Sequence, residues 1–186
     1  MMHVTQVKIM NPVRALRLFG QSVWLDYIRR SFITSGELQR LIAEEGVGGV
    51  TSNPAIFEKA ITGSSDYAEV LSALRREPGL DAKARYERVA IEDIQSAADF
   101  LQPVYARTKR RDGYVSLEVS PHLAHDTRGT LDEATRLWEA VGRDNLMIKV
   151  PATPAGIPAI VQLLGRGINV NVTLLFAQET YESVAE

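Results

Sequence analysis

Lys149 is a charged residue in the middle of an apolar run that begins at Leu146 and ends at Pro151. Such a run is typical of a buried β-strand, and lysines are rarely buried unless another group pairs with them or the protein uses them. Two interpretations are open. Lys149 can extend its amine to water from a strand end, or burial can lower its pKa so that the neutral amine acts as a nucleophile.

Polar residues lie at or near the carboxyl ends of five predicted strands, and Lys149 belongs to the fourth. In chain order the candidates are Asp26, Asn53, Glu118, Lys149, Asn171 and Thr173, with Thr51, Ser52, Ser120, Thr153 and Asn169 near the same ends. In a parallel barrel these ends meet on one face, where active sites are built. An amine beside carboxylates is typical of Schiff-base chemistry, in which the lysine attacks a carbonyl and the carboxylates move protons.

Each candidate also has a purely structural interpretation. Asp26 could cap the following helix, and Asn53 could be a turn residue before Pro54. Glu118 alternates with two serines and could lie on a solvated strand face. The occurrence of all these residues at successive strand ends favours the catalytic interpretation.

Other charged or metal-ligating residues are expected to have no chemical role. His122 and His125 form an H-x-x-H pair, but no third ligand is evident, so we predict no metal site. Arg29 and Arg30 are predicted to be solvated surface charges.

The composition argues against several classes of function. The chain has 186 residues, of which 45% are hydrophobic and 24% charged, as in an ordinary globular domain. A formal net charge of -2 gives no indication of nucleic acid or an anionic membrane as partner. There is no cysteine, and no run approaches the roughly 20 apolar residues that span a bilayer. The N-terminus lacks the apolar core of a signal peptide, so we expect a cytoplasmic protein.

The pattern along the chain predicts five strand-then-helix units in residues 20–186, after a lead-in at residues 1–19. Strands are expected at 23–26, 47–54, 113–121, 145–153 and 168–173, and helices at 34–46, 64–77, 81–110, 127–142, 153–167 and 174–186. This alternation predicts an α/β fold with a parallel sheet. It does not separate a (β/α)8 barrel from an open doubly wound sheet, although no G-x-G-x-x-G loop follows the first strand.

Five blocks of the sequence resemble motifs of the transaldolases. They are VWLDYIRR, GVTSNPAIFEKAI, VSLEVSP, MIKVPAT and GINVNVTLLF, in the family's order between Gly20 and Phe176. The wording is most similar to bacterial transaldolases of the type sometimes fused to glucose-6-phosphate isomerase. The resemblance implies a (β/α)8 TIM barrel. It also implies transfer of a dihydroxyacetone unit from a ketose phosphate (sedoheptulose 7-phosphate or fructose 6-phosphate) to an aldose phosphate, in the pentose phosphate pathway, with no metal and no cofactor.

The resemblance assigns roles to the candidates. Lys149 is expected to form the Schiff base, and Asp26 to be the general acid/base that deprotonates the C4 hydroxyl of the donor. Glu118 is expected to act through a water during imine formation and hydrolysis, and Thr173 to orient that water.

Asn53 and Asn171 are expected, by the same resemblance, to bind the hydroxyls of the dihydroxyacetone unit. The family's later strands carry a serine and arginines that bind the substrate phosphate, and this sequence has no positions for them. A complete barrel typically has about 250 residues and eight strands, whereas this chain ends at Glu186. We therefore predict a C-terminally truncated, incomplete barrel of five strand–helix units, with its first and fifth strands as sheet edges.

Three alternatives stay open at this point. The chain could be an inactive transaldolase fragment, or a related Schiff-base fructose-6-phosphate aldolase that cleaves rather than transfers. A sugar-phosphate binding module is less well supported, because binding alone does not require the lysine and both carboxylates. Sugar phosphates are the expected partners, and the sequence leaves the oligomeric state open, a homo-oligomer included.

Overall fold

Five parallel strands form one sheet in the computed structural model, which describes residues 11–186. The strands are β1 (Trp24–Leu25), β2 (Gly49–Thr51), β3 (Val115–Glu118), β4 (Leu146–Pro151) and β5 (Val170–Thr173). Their order in the sheet is β1-β2-β3-β4-β5, so β1 and β5 are its edges in the described part of the chain. The predicted α/β fold is confirmed: the sheet with its helices is a half-barrel consistent with an incomplete (β/α)8 barrel.

Helices connect successive strands. They are α1 (Pro12–Ala15), α2 (Arg30–Thr34), α3 (Glu37–Arg40), α4 (Pro54–Thr62), α5 (Ala68–Arg75), α6 (Ala82–Arg107), α7 (Thr127–Val141), α8 (Gly156–Gly165) and α9 (Gln178–Ala185). Residues 1–10 of the predicted lead-in lie outside the described residues, and its remainder contains α1 and a 3-10 turn at Leu16–Phe19. Across residues 11–186 no helix is long and apolar enough to cross a membrane.

Two helical predictions were incomplete. The single helix expected at 34–46 begins earlier, with α2, and continues as α3 and a π-helical turn at Leu41–Glu45. Helix α4 was not predicted at all. Its N-cap is Asn53, whose Oδ1 accepts a 2.8 Å hydrogen bond from the backbone N–H of Ile56, and Pro54 occupies the first helical position. An N-cap followed by proline is a recognised start signal, which was attributed instead to the end of the preceding strand.

Alternate residues of each strand face opposite sides of the sheet, as the two-residue period of a strand requires. One side packs against α6, α7 and α8. Its strand residues belong to the main hydrophobic core: Val50, Val115, Leu117, Leu146, Ile148 and Val150. Full burial of each such side chain contributes about 1.5–3 kcal/mol. Because this apolar side fixes the orientation of every strand, the intervening polar residues must lie together on the other face.

The first strand is held by a close approach of Trp24 to β2. A Cβ atom on Gly49 would lie 2.4 Å from the indole ring of Trp24, so only glycine allows the ring to lie over the backbone here. The indole Nε1 also donates a 3.1 Å hydrogen bond to the hydroxyl of Ser22. These contacts fix the strand that leads into Asp26.

Candidate active site

The amine of Lys149 is buried within the sheet rather than extended to water. The residue is 8% exposed, and its Nζ donates a 3.0 Å hydrogen bond to the backbone carbonyl of Ser52. The interpretation of Lys149 as a lysine that reaches solvent from a strand end is therefore wrong. A carbonyl only accepts hydrogen bonds, so this contact can be made by a neutral amine as well as by an ammonium. It orients the amine without requiring its charge.

Glu118 is the carboxylate beside this amine. β3 and β4 pair with Glu118 opposite Lys149, and Oε2 of Glu118 lies 3.6 Å from Nζ. Burial raises the pKa of Glu118, and the nearby Lys149 charge and hydrogen bond offset this only in part. A carboxyl with a raised pKa holds its proton nearer to neutral pH, as a group that both gives and takes protons needs to do.

The edge strand β5 continues this polar row. Asn171 lies opposite Lys149, and Thr173 lies opposite Pro151. The hydroxyl oxygen of Thr173 is buried and makes no hydrogen bond to any residue in 11–186. A buried hydroxyl without a protein partner is uncommon. In this position it can bind a water or a substrate oxygen beside the row formed by Glu118 and Lys149.

Asn53 lies at the carboxyl end of β2, one residue beyond the carbonyl that binds Lys149. Its Oδ1 caps α4, so this oxygen has a structural role, as a helix N-cap and not as the predicted turn residue. The cap leaves the amide nitrogen as the group that can donate to a ligand hydroxyl.

Asp26 directly follows β1, and its neighbour Leu25 is paired with Val50 of β2. It is exposed and does not cap a helix, because α2 begins only after Arg29 and has no side-chain cap. The interpretation of Asp26 as a cap is therefore wrong. β1, which leads into Asp26, lies two strands away from β3, which ends at Glu118. Between them lies β2, and the carbonyl that binds Lys149 belongs to Ser52, directly after β2.

The loop after β1 is anchored by arginines that were wrongly predicted to be solvated. Arg29 Nε lies 2.8 Å from Asp66 Oδ2, and Arg30 Nε lies 2.8 Å from Asp93 Oδ1. The buried Tyr67 hydroxyl donates to Asp93 Oδ2 at 2.8 Å and accepts from the backbone N–H of Arg30 at 2.9 Å. The segment that carries Asp26 is thus tied to α6 and to the region before α5.

Hydroxyl groups tie β2 to β3 next to the amine. Ser116 Oγ donates to Thr51 Oγ1 at 2.9 Å, and Ser52 Oγ donates to the carbonyl of Ser116 at 2.8 Å. These bonds hold the carbonyl of Ser52 against Lys149. Sequence reasoning missed this partner of the amine, because a backbone carbonyl has no sequence signature and only the strand register reveals it.

Several of the remaining polar residues have structural contacts. Asn169 precedes β5 instead of lying at its carboxyl end, and its Nδ2 donates to two backbone carbonyls. Thr153 Oγ1 donates to the carbonyl of Ala124 at 2.5 Å. His122 and His125 are exposed. Within residues 11–186 no group of three or more His, Cys, Asp or Glu side chains is arranged to hold a metal ion.

Comparison with known proteins places this geometry in context. Residues 23–186 match the family model described as transaldolase/fructose-6-phosphate aldolase. The chain is 52% identical to a transaldolase of Thiobacillus denitrificans over 90% of its own length and 46% of that protein. It is 47% identical to transaldolase 2 of Nostoc punctiforme (94% of the chain, 46% of the relative) and 49% identical to a transaldolase of Neisseria gonorrhoeae (91% and 47%). The chain thus spans about half the length of these curated relatives.

Proposed function

The chain belongs to the transaldolase/fructose-6-phosphate aldolase family, and we propose that its polar sheet face performs transaldolase chemistry. The reaction is transfer of a dihydroxyacetone unit from sedoheptulose 7-phosphate or fructose 6-phosphate to an aldose phosphate, in the pentose phosphate pathway. The observation that carries the proposal is the Lys149 amine, which is buried, oriented by a backbone carbonyl and adjacent to a carboxyl with a raised pKa. The names of the relatives support the same reaction.

The first step joins the donor ketose to Lys149. The amine nitrogen forms a bond to the C2 carbonyl carbon, and the resulting carbinolamine loses its oxygen as water when Glu118 supplies a proton. Thr173 is suited to hold that water, since its buried hydroxyl has no protein partner among the described residues. Hydrolysis of the imine later runs through the same groups in reverse.

The second step cleaves the bond between C3 and C4 of the donor. Asp26 accepts the proton of the C4 hydroxyl, the aldose phosphate departs, and the bonding electrons move into the protonated imine. The resulting enamine stays on Lys149 until it attacks the aldehyde carbon of the acceptor and Asp26 returns the proton. Asn53 and Asn171 bind the hydroxyls of the retained three-carbon unit.

The wider setting follows from the same proposal. It needs sugar phosphates as partners, with no nucleic acid, membrane, metal or cofactor, and it fits a cytoplasmic enzyme. The division into a lead-in at 1–19 and a catalytic barrel portion at 20–186 stays a prediction, as does a homo-oligomer.

A related Schiff-base aldolase is the second candidate, because the matching family model is named for fructose-6-phosphate aldolase as well. Such an enzyme releases dihydroxyacetone instead of transferring it. The long connection between β2 and β3, which comprises α4, α5 and α6, favours the transaldolase. Product analysis with and without an acceptor aldose phosphate distinguishes the two.

The decisive test is borohydride reduction of the chain incubated with fructose 6-phosphate, followed by intact mass and peptide mapping. We expect a reduced three-carbon adduct on Lys149. The adduct should disappear in Lys149→Met and persist in the matched control Lys59→Met, which replaces an exposed lysine of α4.

A further variant separates imine formation from cleavage. Asp26→Ala should still form the imine but should be trapped with the whole six-carbon sugar phosphate, because the C4 hydroxyl keeps its proton. A three-carbon adduct in Asp26→Ala would contradict the role of Asp26. A folded chain that forms no adduct at all would refute transaldolase chemistry by this polypeptide and leave the inactive-fragment alternative.

A further inference from the structure

We infer that Glu133 of α7 is a positioning residue for Glu118: its buried carboxylate fixes the main chain that follows β3 and so keeps Glu118 beside Lys149. This inference rests on the proposed function, because Glu118 is the residue that transfers protons in that reaction. Glu133 belongs to α7 and contributes, with Glu118, to the wall of one cavity.

The contacts of Glu133 point at the main chain of this segment. The residue is 8% exposed, and its Oε1 accepts a 2.5 Å hydrogen bond from the backbone N–H of Ser120. Its Oε2 accepts a hydrogen bond from Lys83 of α6 and lies 3.6 Å from Arg136. A backbone N–H bound to a carboxylate is a short, strong hydrogen bond. One side chain therefore connects α6 and α7 to the chain two residues beyond Glu118.

The pairing of β3 with β4 ends just before Ser120. The backbone N–H of Val119 donates to the carbonyl of Lys149 at 3.2 Å, which is the last bond of this segment to β4. The next N–H, that of Ser120, goes to Glu133 instead, and the chain then turns into a 3-10 turn at Pro121–Leu123. The two residues that follow Glu118 are thus clamped in turn, Val119 by the sheet and Ser120 by the side chain of Glu133.

Packing does not replace the second clamp. A cavity of about 350 Å³ lies behind the segment, between α6 and α7, and Glu118 and Ser120 contribute to its wall. Tyr86, Ala90 and Leu137 form part of its apolar lining. Because this space is not filled by side chains, a segment released from Glu133 has room to move away from Lys149.

Movement of this segment has a measurable signature. Burial is the largest cause that raises the pKa of Glu118. Loss of the clamp should therefore hydrate Glu118 and lower its pKa towards the ordinary value.

Three variants separate position from charge. Glu133→Ala removes the acceptor, whereas Glu133→Gln keeps an oxygen that can accept from the N–H of Ser120. Ser120→Pro removes the donor and keeps the charge of Glu133; the φ of Ser120 is -54°, close to the value of about -65° that proline favours, although the serine hydroxyl is lost as well. Asp132→Ala is the matched control: it removes a carboxylate one residue earlier in α7 that is exposed and paired with Arg128.

The first readout is the titration of Glu118 by carbon NMR of its carboxyl group, with Glu118→Gln to identify the signal. We expect a lower pKa in Glu133→Ala and in Ser120→Pro, and an unchanged pKa in Glu133→Gln and Asp132→Ala. An unchanged pKa in a folded Glu133→Ala chain, or equal shifts in the Ala and Gln variants, overturns the inference. If Glu133→Ala does not fold, Ser120→Pro decides alone, since it removes the hydrogen bond and keeps the charge of Glu133.

The second readout is the rate of adduct formation on Lys149. Glu133→Ala and Ser120→Pro should slow it roughly ten- to a hundredfold, a part of the about 10²–10⁴-fold that a positioned acid or base contributes. Glu133→Gln should recover most of the rate. If the unsubstituted chain forms no adduct, the proposed function fails, while the titration still decides the role of Glu133.

Discussion

The loop that carries Asp26 depends on a buried tyrosine, and Tyr67→Phe tests this dependence. The substitution removes one oxygen atom from a side chain that is fully buried. Asp93 Oδ2 loses the hydroxyl donor that lies 2.8 Å away in the unsubstituted protein. The backbone N–H of Arg30 loses its acceptor, the same hydroxyl, at 2.9 Å. A hydrogen bond to a charged group contributes about 1.5–3 kcal/mol and a neutral one about 0.5–1.5 kcal/mol, so we expect a loss of about 2–4 kcal/mol in the free energy of unfolding.

The loss should depend on pH. Burial raises the pKa of Asp93, while the hydrogen bonds from Tyr67 and Arg30 act in the opposite direction. Tyr67→Phe removes one of these bonds to the ionised form, so it raises the pKa of Asp93 further. The destabilisation should be full where Asp93 is ionised, at neutral pH, and should diminish as the pH falls through the raised pKa and Asp93 takes up its proton.

The measurement is urea unfolding of both proteins at several pH values, followed by circular dichroism. Tyr181→Phe is the matched control, since it deletes the same hydroxyl from a side chain that is 60% exposed, and it should change stability by less than about 0.5 kcal/mol. A loss below that limit in Tyr67→Phe, or a loss that does not vary with pH, would refute the assignment of Tyr67 as the donor to a buried carboxylate.

Three further substitutions test other parts of the structure. Glu118→Gln should stabilise the chain at neutral pH but not at acid pH. The pKa of Glu118 is raised, so the ionised carboxylate lowers stability as the pH rises through that pKa. Urea midpoints that do not change on substitution across that pH range would contradict this. Asn145→Ala should cost about 2–4 kcal/mol, since the buried amide donates to the carbonyls of Ala98 and Gly113, both at 2.9 Å; a thermal midpoint equal to the parent's would be the opposing result. Gly113→Ala should prevent folding, because its φ is +88° and a Cβ would lie 2.3 Å from the backbone nitrogen of Tyr105; circular dichroism and soluble yield measure this.

The parallel sheet and the strands that carry the candidate residues could be predicted from the sequence, because one rule controls them. Buried core residues recur at every second position of β3 and β4, so the register that buries Leu117 and Ile148 also places Glu118 beside Lys149. Helix α7 was predicted to within a residue at each end, because a capping aspartate precedes it and Gly142 in a left-handed conformation follows it.

The rest depended on contacts between distant parts of the chain. Arg30 was predicted to be solvated, but its partner Asp93 lies 63 residues later in the sequence. Glu133 was not singled out, because a carboxylate in the interior of an amphipathic helix usually faces water. Its burial is set by Lys83, Arg136 and the main chain of Ser120, and no local pattern records which backbone N–H a side chain will meet.

The strand order has a consequence for how the chain is made. Every strand after β1 pairs with the strand that precedes it in the sequence. A strand that leaves the ribosome therefore finds its partner already synthesised, and the sheet can grow in the direction of translation. The connection from β2 to β3 is much longer than the connections between the other strands: Thr51 and Ser116 are 65 residues apart. Helices α4 to α6 must be produced and packed within that interval, and the cost of closing so long a loop falls on this one pairing. We expect the β2–β3 junction to be the slow step of assembly, after which β4 and β5 are added over short connections.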